Sequence, residues 1–148
     1  MDHAEKVMIL CPIAEMVDRM QPVGSRVTCD PAPIDTDEDY LLLVDAVYEG
    51  GKLIKDGFKR LDELEFYLHT HGWKMGGSLP TDMVTQIPPE ARFCSWTLDE
   101  INLIITCSPE FFRRHLAATA LAKRLNLLVK ADRIALFQAV LYGNTVDA

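Results

Sequence analysis

The sequence lacks a long uninterrupted apolar run. A helix that spans a bilayer needs ~20 apolar residues, and acids interrupt the first apolar stretch at Glu5, Glu15 and Asp18. A secretory leader needs a basic segment followed by an unbroken apolar one, and the N-terminal residues have neither. We therefore expect no membrane partner and a cytoplasmic location.

Cysteine is also scarce, and the four cysteines are widely spaced at Cys11, Cys29, Cys94 and Cys107. None forms a Cys-x-x-Cys pair, so the sequence offers no motif for a zinc ribbon or a thioredoxin-like redox site. Their neighbours are mostly apolar. This pattern predicts reduced thiols that contribute to packing.

Basic residues are outnumbered, at 15 Lys and Arg against 22 Asp and Glu, which gives a net charge of −7. Such a total argues against a protein that coats duplex nucleic acid with its whole surface. The excess of acid is confined to residues 1–100, whereas residues 101–148 carry six Lys and Arg against three acids. The basic C-terminal part can therefore face a phosphate-bearing ligand across an acidic metal site.

The pattern of apolar residues predicts helices and strands in an order typical of an α+β (α/β-like) domain, with a mixed sheet flanked by helices and one domain over residues 1–148. Helices are expected at 4–20, with Pro12 kinking or restarting the first, and at 52–71, 109–125 and 131–142. Strands are expected at 22–27, 38–47, 92–98 and 101–106, with a short one at 73–75.

Two acids open the most apolar of these strands, which runs from Tyr40 to Val44. Because strand side chains alternate at about 3.3 Å per residue, Asp37 and Asp39 share a face roughly 6–7 Å apart, and Glu38 projects to the other face. Mg²⁺ prefers one or two carboxylates together with phosphate oxygens and water. Asp37 and Asp39 are therefore candidate ligands for one or two Mg²⁺ ions, and Asp35 is placed to assist them.

A Gly-Ser turn precedes these acids, and the segment Gly24-Ser25-Arg26, then Asp37-x-Asp39, then the apolar strand resembles the motif of the DNA polymerase β-like nucleotidyltransferase superfamily. The resemblance implies that Gly24, Ser25 and Arg26 contact nucleotide phosphates. It also implies that Asp37 and Asp39 are the catalytic acids and hold two Mg²⁺ ions. Glycine at position 24 would let the backbone approach the phosphates.

The sequence departs from that family pattern in two places. A later strand usually supplies a third carboxylate, and here Asn102 occupies the matching position; Asp99, Glu100 and Glu90 are the candidates to replace it. A proline-bearing loop at 29–33 also stands where a short helix often follows the Gly-Ser turn. Both departures are consistent with a specialised or degenerate member.

Basic residues near the junction of the last two predicted helices are further candidates. Lys130 and Arg133 can neutralise phosphate, or can be ordinary cations on a solvated helix surface. The apolar stripe that follows is expected to be core or a homodimer contact: Ile134, Leu136, Phe137, Val140 and Leu141.

Two functions follow from these residues. The first is a Mg²⁺-dependent nucleotidyltransferase that moves a nucleoside monophosphate from an NTP to a hydroxyl of a small molecule, RNA or protein. The second is a non-catalytic nucleotide- or protein-binding module on the same fold, which Asn102 favours. The alternative without a binding site is that the Gly-Ser pair is an ordinary turn and that the acids only keep a loop solvated.

Overall fold

The computed structural model describes residues 1–34, 37–44, 47–49, 52–55, 57–76 and 93–142. The helices in these ranges are α1 (His3–Met16), α2 (Ser25–Thr28), α3 (Gly57–Thr70), α4 (Pro109–Leu125) and α5 (Lys130–Tyr142). The strands are β1 (Arg19–Val23), β2 (Glu38–Leu43), β3 (Val47–Glu49), β4 (Lys52–Lys55), β5 (Lys74–Met75), β6 (Phe93–Leu98) and β7 (Ile101–Thr106).

Five of the strands form one mixed sheet in the order β1-β2-β7-β6-β5. The central pair, β2 and β7, is parallel. The remaining neighbours in this sheet are antiparallel. β3 and β4 form a separate antiparallel pair. The predicted α+β class with a mixed sheet is confirmed.

β2 and β7 lie at the centre because their side chains are apolar on both faces. All six residues of β7 are buried, as are residues 41–43 of β2 and Val44, which follows it. A strand buried on both faces reads as a continuous apolar run rather than an alternating one. The run from Tyr40 to Val44 is therefore the sequence signal that correctly predicted a central strand.

Helices cover both faces of the sheet. On one face, α1 and α3 pack against alternate strand residues, and this core includes Ile13, Leu42, Leu64, Leu103 and Ile105. On the other face, α4 and α5 pack against the intervening residues, and this core includes Val23, Leu41, Ile104, Phe112 and Phe137. Asp39 and Asn102 belong by strand alternation to the second face.

The ends of α4 are set by residues that the sequence marks clearly. The Ser108 hydroxyl accepts a hydrogen bond from the Phe111 N–H at 3.1 Å, and Pro109 is the first helical residue. Asn126 ends the helix in the left-handed conformation, at φ 48° and ψ 55°. Asparagine tolerates this conformation better than most residues. The predicted start at Ser108 and end at Leu125 are confirmed.

Four predicted boundaries were wrong. The first helix runs uninterrupted through Pro12 but ends at Met16, and β1 then begins at Arg19. The predicted strand at 22–27 stops at Val23, and α2 occupies Ser25–Thr28. The predicted strand at 38–47 ends at Leu43. The predicted helix at 52–71 begins only at Gly57, because Lys52–Lys55 pairs with Val47–Glu49 as a hairpin.

Candidate functional site

Strand register brings three of the singled-out positions together at one edge of the sheet. Val23, at the end of β1, pairs with Asp39 near the start of β2. Asp39 in turn pairs with Asn102 near the start of the parallel strand β7. Gly24 follows Val23 directly, so the Gly-Ser turn, Asp39 and Asn102 meet where β2 and β7 begin.

Gly24 lies in contact with the Asp39 side chain. Its backbone has φ 82° and ψ −176°, a region that L side chains rarely adopt. A Cβ at this position would lie 2.8 Å from Cγ of Asp39 and 2.9 Å from its Cβ, and would also meet Oδ2. Glycine is therefore required here twice, for the backbone conformation and for the space that Asp39 occupies.

The turn continues into α2, whose first turn is closed by hydrogen bonds to the Gly24 carbonyl from Val27 N–H at 2.9 Å and Thr28 N–H at 3.0 Å. Ser25 is the first residue of this helix. The proline-bearing loop expected at 29–33 is present, but it does not replace a helix. A short helix, α2, does follow the Gly-Ser turn and ends just before Cys29.

The carboxylate of Asp39 lies in an unusual electrostatic environment. Its pKa is raised to about 6, chiefly by burial and to a smaller extent by the charge of Asp37. The hydrogen bond from Asn102 and the charge of Arg26 act in the opposite direction. Ionised Asp39 is therefore desolvated and repelled by a neighbouring acid, and a bound cation would relieve both penalties.

Arg26 lies beside the same carboxylates. Its guanidinium is 3.8 Å from Oε1 of Glu38, and its positive charge acts on Asp39. Glu38 also pairs with Lys6 of α1 at 3.1 Å, so its side chain reaches the α1 side of the sheet as alternation predicted. Among the described residues, Arg26 is therefore a cation whose charge lowers the pKa of Asp39. Its predicted phosphate contact stays a prediction.

Asn102 occupies the position where the family pattern has a third acid. Its Nδ2 donates to Oδ1 of Asp39 at 3.0 Å. Its Oδ1 accepts a hydrogen bond from the Ser95 hydroxyl at 2.7 Å. Ser95 and Asn102 are both buried. The pair therefore presents an N–H group, not a carboxylate, to Asp39.

Among the acids suggested as substitutes for the third carboxylate, Glu100 turns away from Asp39. Glu100 pairs with Lys6 at 3.4 Å and so turns toward α1. Asp99 lies in the turn between β6 and β7, with φ 50°. Asp35 and Glu90 lie outside the described residues.

The predicted metal ligands Asp37 and Asp39 are close enough for their charges to interact. Two carboxylates suit one Mg²⁺ that also binds phosphate oxygens and water. Among the described residues, no group of three or more His, Cys, Asp or Glu could hold a metal ion. Coordination of a metal ion by Asp37 and Asp39 stays a prediction.

Arg133 and Lys130 are held differently from each other. The Arg133 guanidinium donates to the Leu127 carbonyl at 2.9 Å and approaches Sγ of Cys29 at 3.3 Å. Lys130 is exposed at the first residue of α5. Arg133 therefore ties the segment after α2 to the connection between α4 and α5, and phosphate contact by either residue stays a prediction.

A second tie joins the same two segments. The Asp30 N–H donates to Oδ1 of Asn126 at 3.0 Å, and Nδ2 of Asn126 donates to the Asp30 carbonyl at 3.1 Å. These two bonds, together with those of Arg133, form a clasp between the loop that leads toward Asp37 and the end of α4. The clasp was not predicted from the sequence, although Asn126 after the basic end of a helix is a recognisable stop signal.

The apolar stripe of α5 packs inside the protein. Phe137 and Leu141 are buried in the core beneath α4, with Leu136 and Val140 packed against it. This outcome agrees with the core interpretation of the stripe. The suggested homodimer stays untested.

No described helix has the length and apolarity needed to cross a membrane. The four cysteines are all free.

Comparison with known proteins gives a limited result. No family model matches this chain. No curated protein matches it. A solved structure of terminal uridylyl transferase 4 from Trypanosoma brucei with bound UTP and UpU is similar, with a TM-score of 0.45 and 16% identity over 82% of this chain. The chain spans 38% of the length of that protein. A likeness at this level carries no weight for function, which is inferred from the chain's own residues.

Proposed function

We propose that this chain binds a nucleoside triphosphate as its Mg²⁺ complex at the edge formed by Gly24, Ser25, Asp37 and Asp39. The observation that carries the proposal is the packing of Asp39 against Gly24, which leaves no room for a Cβ. This contact joins the two halves of the motif, the turn and the acid pair, which are separated by the 11 residues 26–36 in the sequence.

Electrostatics supports a cationic ligand at this edge. Asp39 is desolvated and lies near Asp37, so its ionised form is destabilised in the absence of a counter-charge. A divalent cation held by the two carboxylates supplies that counter-charge, and a triphosphate completes its coordination. Arg26 lies beside the acids and offers a guanidinium for phosphate.

The Gly-Ser turn supports the position of the phosphates. Ser25, the first residue of α2, follows Gly24 directly and brings a hydroxyl for phosphate to the same turn. Lys130 is exposed at the first residue of α5 and is a further predicted phosphate contact. We assign to these groups the binding of the nucleotide and to the two acids the binding of the metal.

Nucleotide binding can be measured by calorimetric titration of ATP in MgCl₂ and again in EDTA. We expect binding only with Mg²⁺, and we expect Asp39→Asn to abolish it. Asp62→Asn makes the same chemical change at an exposed position of α3, on the opposite face of the sheet, and should leave binding unchanged. Equal binding with and without Mg²⁺, or equal loss in both variants, would contradict the proposal.

A second candidate function is transfer of the nucleoside monophosphate to a hydroxyl of a small molecule, RNA or protein. The spacing from Gly24-Ser25 to Asp37-x-Asp39 favours it, because this spacing resembles that of the nucleotidyltransferase superfamily. Release of pyrophosphate from NTP, lost in Asp39→Asn, would support the enzyme. Binding of Mg²⁺-ATP without release of pyrophosphate, over a panel of acceptors, would support the binding module.

A further inference from the structure

The side chain of Asn102 has only one chemically acceptable orientation at this site. Asp39 has no donor when ionised, so the group that faces it at 3.0 Å must be the amide nitrogen of Asn102. The Asn102 carbonyl then faces the Ser95 hydroxyl, which donates to it at 2.7 Å. Asp39 thus fixes the orientation of the amide, and the Ser95 hydroxyl completes it by donating to the amide oxygen.

Burial makes this orientation costly to reverse. Asn102 is 3% exposed and Ser95 is 5% exposed. Turning the amide over would place its carbonyl oxygen against the Asp39 carboxylate, with no donor between the two oxygens. Two buried acceptors that face each other without a donor are strongly unfavourable.

A second cation at this edge would need an oxygen ligand opposite Asp39. The amide N–H stands in that place, and an N–H group repels a cation and already occupies Oδ1 of Asp39. Two-metal phosphoryl transfer places its ions about 3.5–4 Å apart and bridges them with shared carboxylates. We infer that Ser95 and Asn102 limit the nucleotide site to a single divalent cation, which enters with the triphosphate.

This inference rests on the proposed nucleotide binding and adds the number of ions to it. It assigns the role of positioning residue to Ser95, which holds the Asn102 amide, and the role of specificity determinant to Asn102. A site with one ion binds a nucleotide but lacks the second ion of the two-metal mechanism. The inference therefore favours the binding module over the transferase.

The test counts Mn²⁺ ions by electron paramagnetic resonance in the presence of an ATP analogue with an α,β-methylene bridge. The wild type should bind one Mn²⁺ per chain with the spectrum of an isolated ion. Asn102→Asp should bind two and show the spin coupling of a close pair. Gln138→Glu, which makes the same amide-to-carboxylate change on α5, should keep a count of one.

Thermal unfolding provides a readout independent of nucleotide chemistry. Asn102→Asp places a carboxylate beside Asp39, so its midpoint should be lower than that of the wild type in EDTA. Mn²⁺ should raise the midpoint of the variant more than that of the wild type. Equal shifts in the two proteins would overturn the inference.

The wild-type count needs no substitution, so the inference can be tested even if Asn102→Asp does not fold. A coupled pair in the wild type overturns the single-ion inference and leaves the proposed nucleotide binding standing. Absence of nucleotide-dependent Mn²⁺ uptake in the wild type overturns the proposed function, and the inference with it. One isolated ion in the wild type, together with two in the variant, supports both.

Discussion

Replacing Gly24 with alanine perturbs the contact on which the site is built. Two effects add. The backbone at φ 82° and ψ −176° lies in a region that is essentially restricted to glycine, where another residue costs about 1–3 kcal/mol. The new methyl would also lie 2.8 Å from Cγ of Asp39 and 2.9 Å from its Cβ, and overpacking of this kind costs about 1–3 kcal/mol.

Rotation of the Asp39 carboxylate does not relieve the contact, because the Cβ of Asp39 is itself too close. The β2 backbone or the turn must therefore move. We expect Gly24→Ala to lose about 2–6 kcal/mol of unfolding free energy, the sum of the two effects. We also expect it to lose Mg²⁺-dependent nucleotide binding, since the turn and Asp39 can no longer occupy the same positions.

Gly72→Ala is the matched control. Gly72 has φ 87°, and a Cβ there would meet nothing within 4 Å. This variant should lose only the conformational part, about 1–2 kcal/mol, and should bind nucleotide as the wild type does. Urea unfolding and calorimetry of both variants measure the difference. Equal losses of stability, with nucleotide binding retained in Gly24→Ala, would refute the reasoning.

Three further predictions concern stability. Burial lowers the pKa of His115 to about 4, below its ordinary value near 6.5. The buried neutral imidazole therefore contributes fully to stability above pH 6.5, and this contribution is lost as the pH falls toward 4. Asp39 has the opposite sign: its raised pKa of about 6 means that stability is gained as the pH falls from 6 to 4. Relative to the wild type, His115→Leu should therefore become more stable with acidification and Asp39→Asn less stable, each by up to about 3 kcal/mol from 1.36 kcal/mol per pKa unit. Urea unfolding at pH 4 and pH 7 measures the stability of each variant relative to the wild type. A change with pH in the same direction for both variants would contradict the prediction. Asn126→Ala removes both hydrogen bonds to Asp30 and places alanine at φ 48°; it should cost about 1–3 kcal/mol, whereas Asn126→Gly, which tolerates that φ, should cost less. If both variants unfold at the same urea concentration, the backbone conformation of Asn126 contributes nothing. Mg²⁺ added together with ATP should raise the thermal midpoint of the wild type and leave that of Asp39→Asn unchanged, and an equal rise in both would show that the complex binds elsewhere.

The sequence predicted those parts of the fold whose signals are local. The apolar run of β2, the hairpin of β6 and β7, and the serine-proline start of α4 each depend on neighbouring residues only. Lys52–Lys55 was misassigned because Leu53 and Ile54 fit the apolar spacing of the helix that follows. A strand of four residues carries too few positions to reveal its period.

The site was predicted in part for the same reason. Gly24 and Asp39 follow from a linear motif, and the register of β1 with β2 brings them together. Ser95 was missed as a partner of Asn102 because their contact depends on the register of β6 with β7. The contact of Arg133 with Leu127 and Cys29 depends on how α5 folds back on the loop after α2, which no local pattern encodes.

The most direct test of the account is to locate the bound metal. Mn²⁺ added with the methylene-bridged ATP analogue broadens the nuclear magnetic resonance signals of amides near the ion. We expect the amide signals of Gly24, Ser25, Asp37 and Asp39 to broaden first, and we expect Asp39→Asn to remove the effect. Broadening centred on another part of the protein, or unchanged broadening in Asp39→Asn, would contradict this expectation.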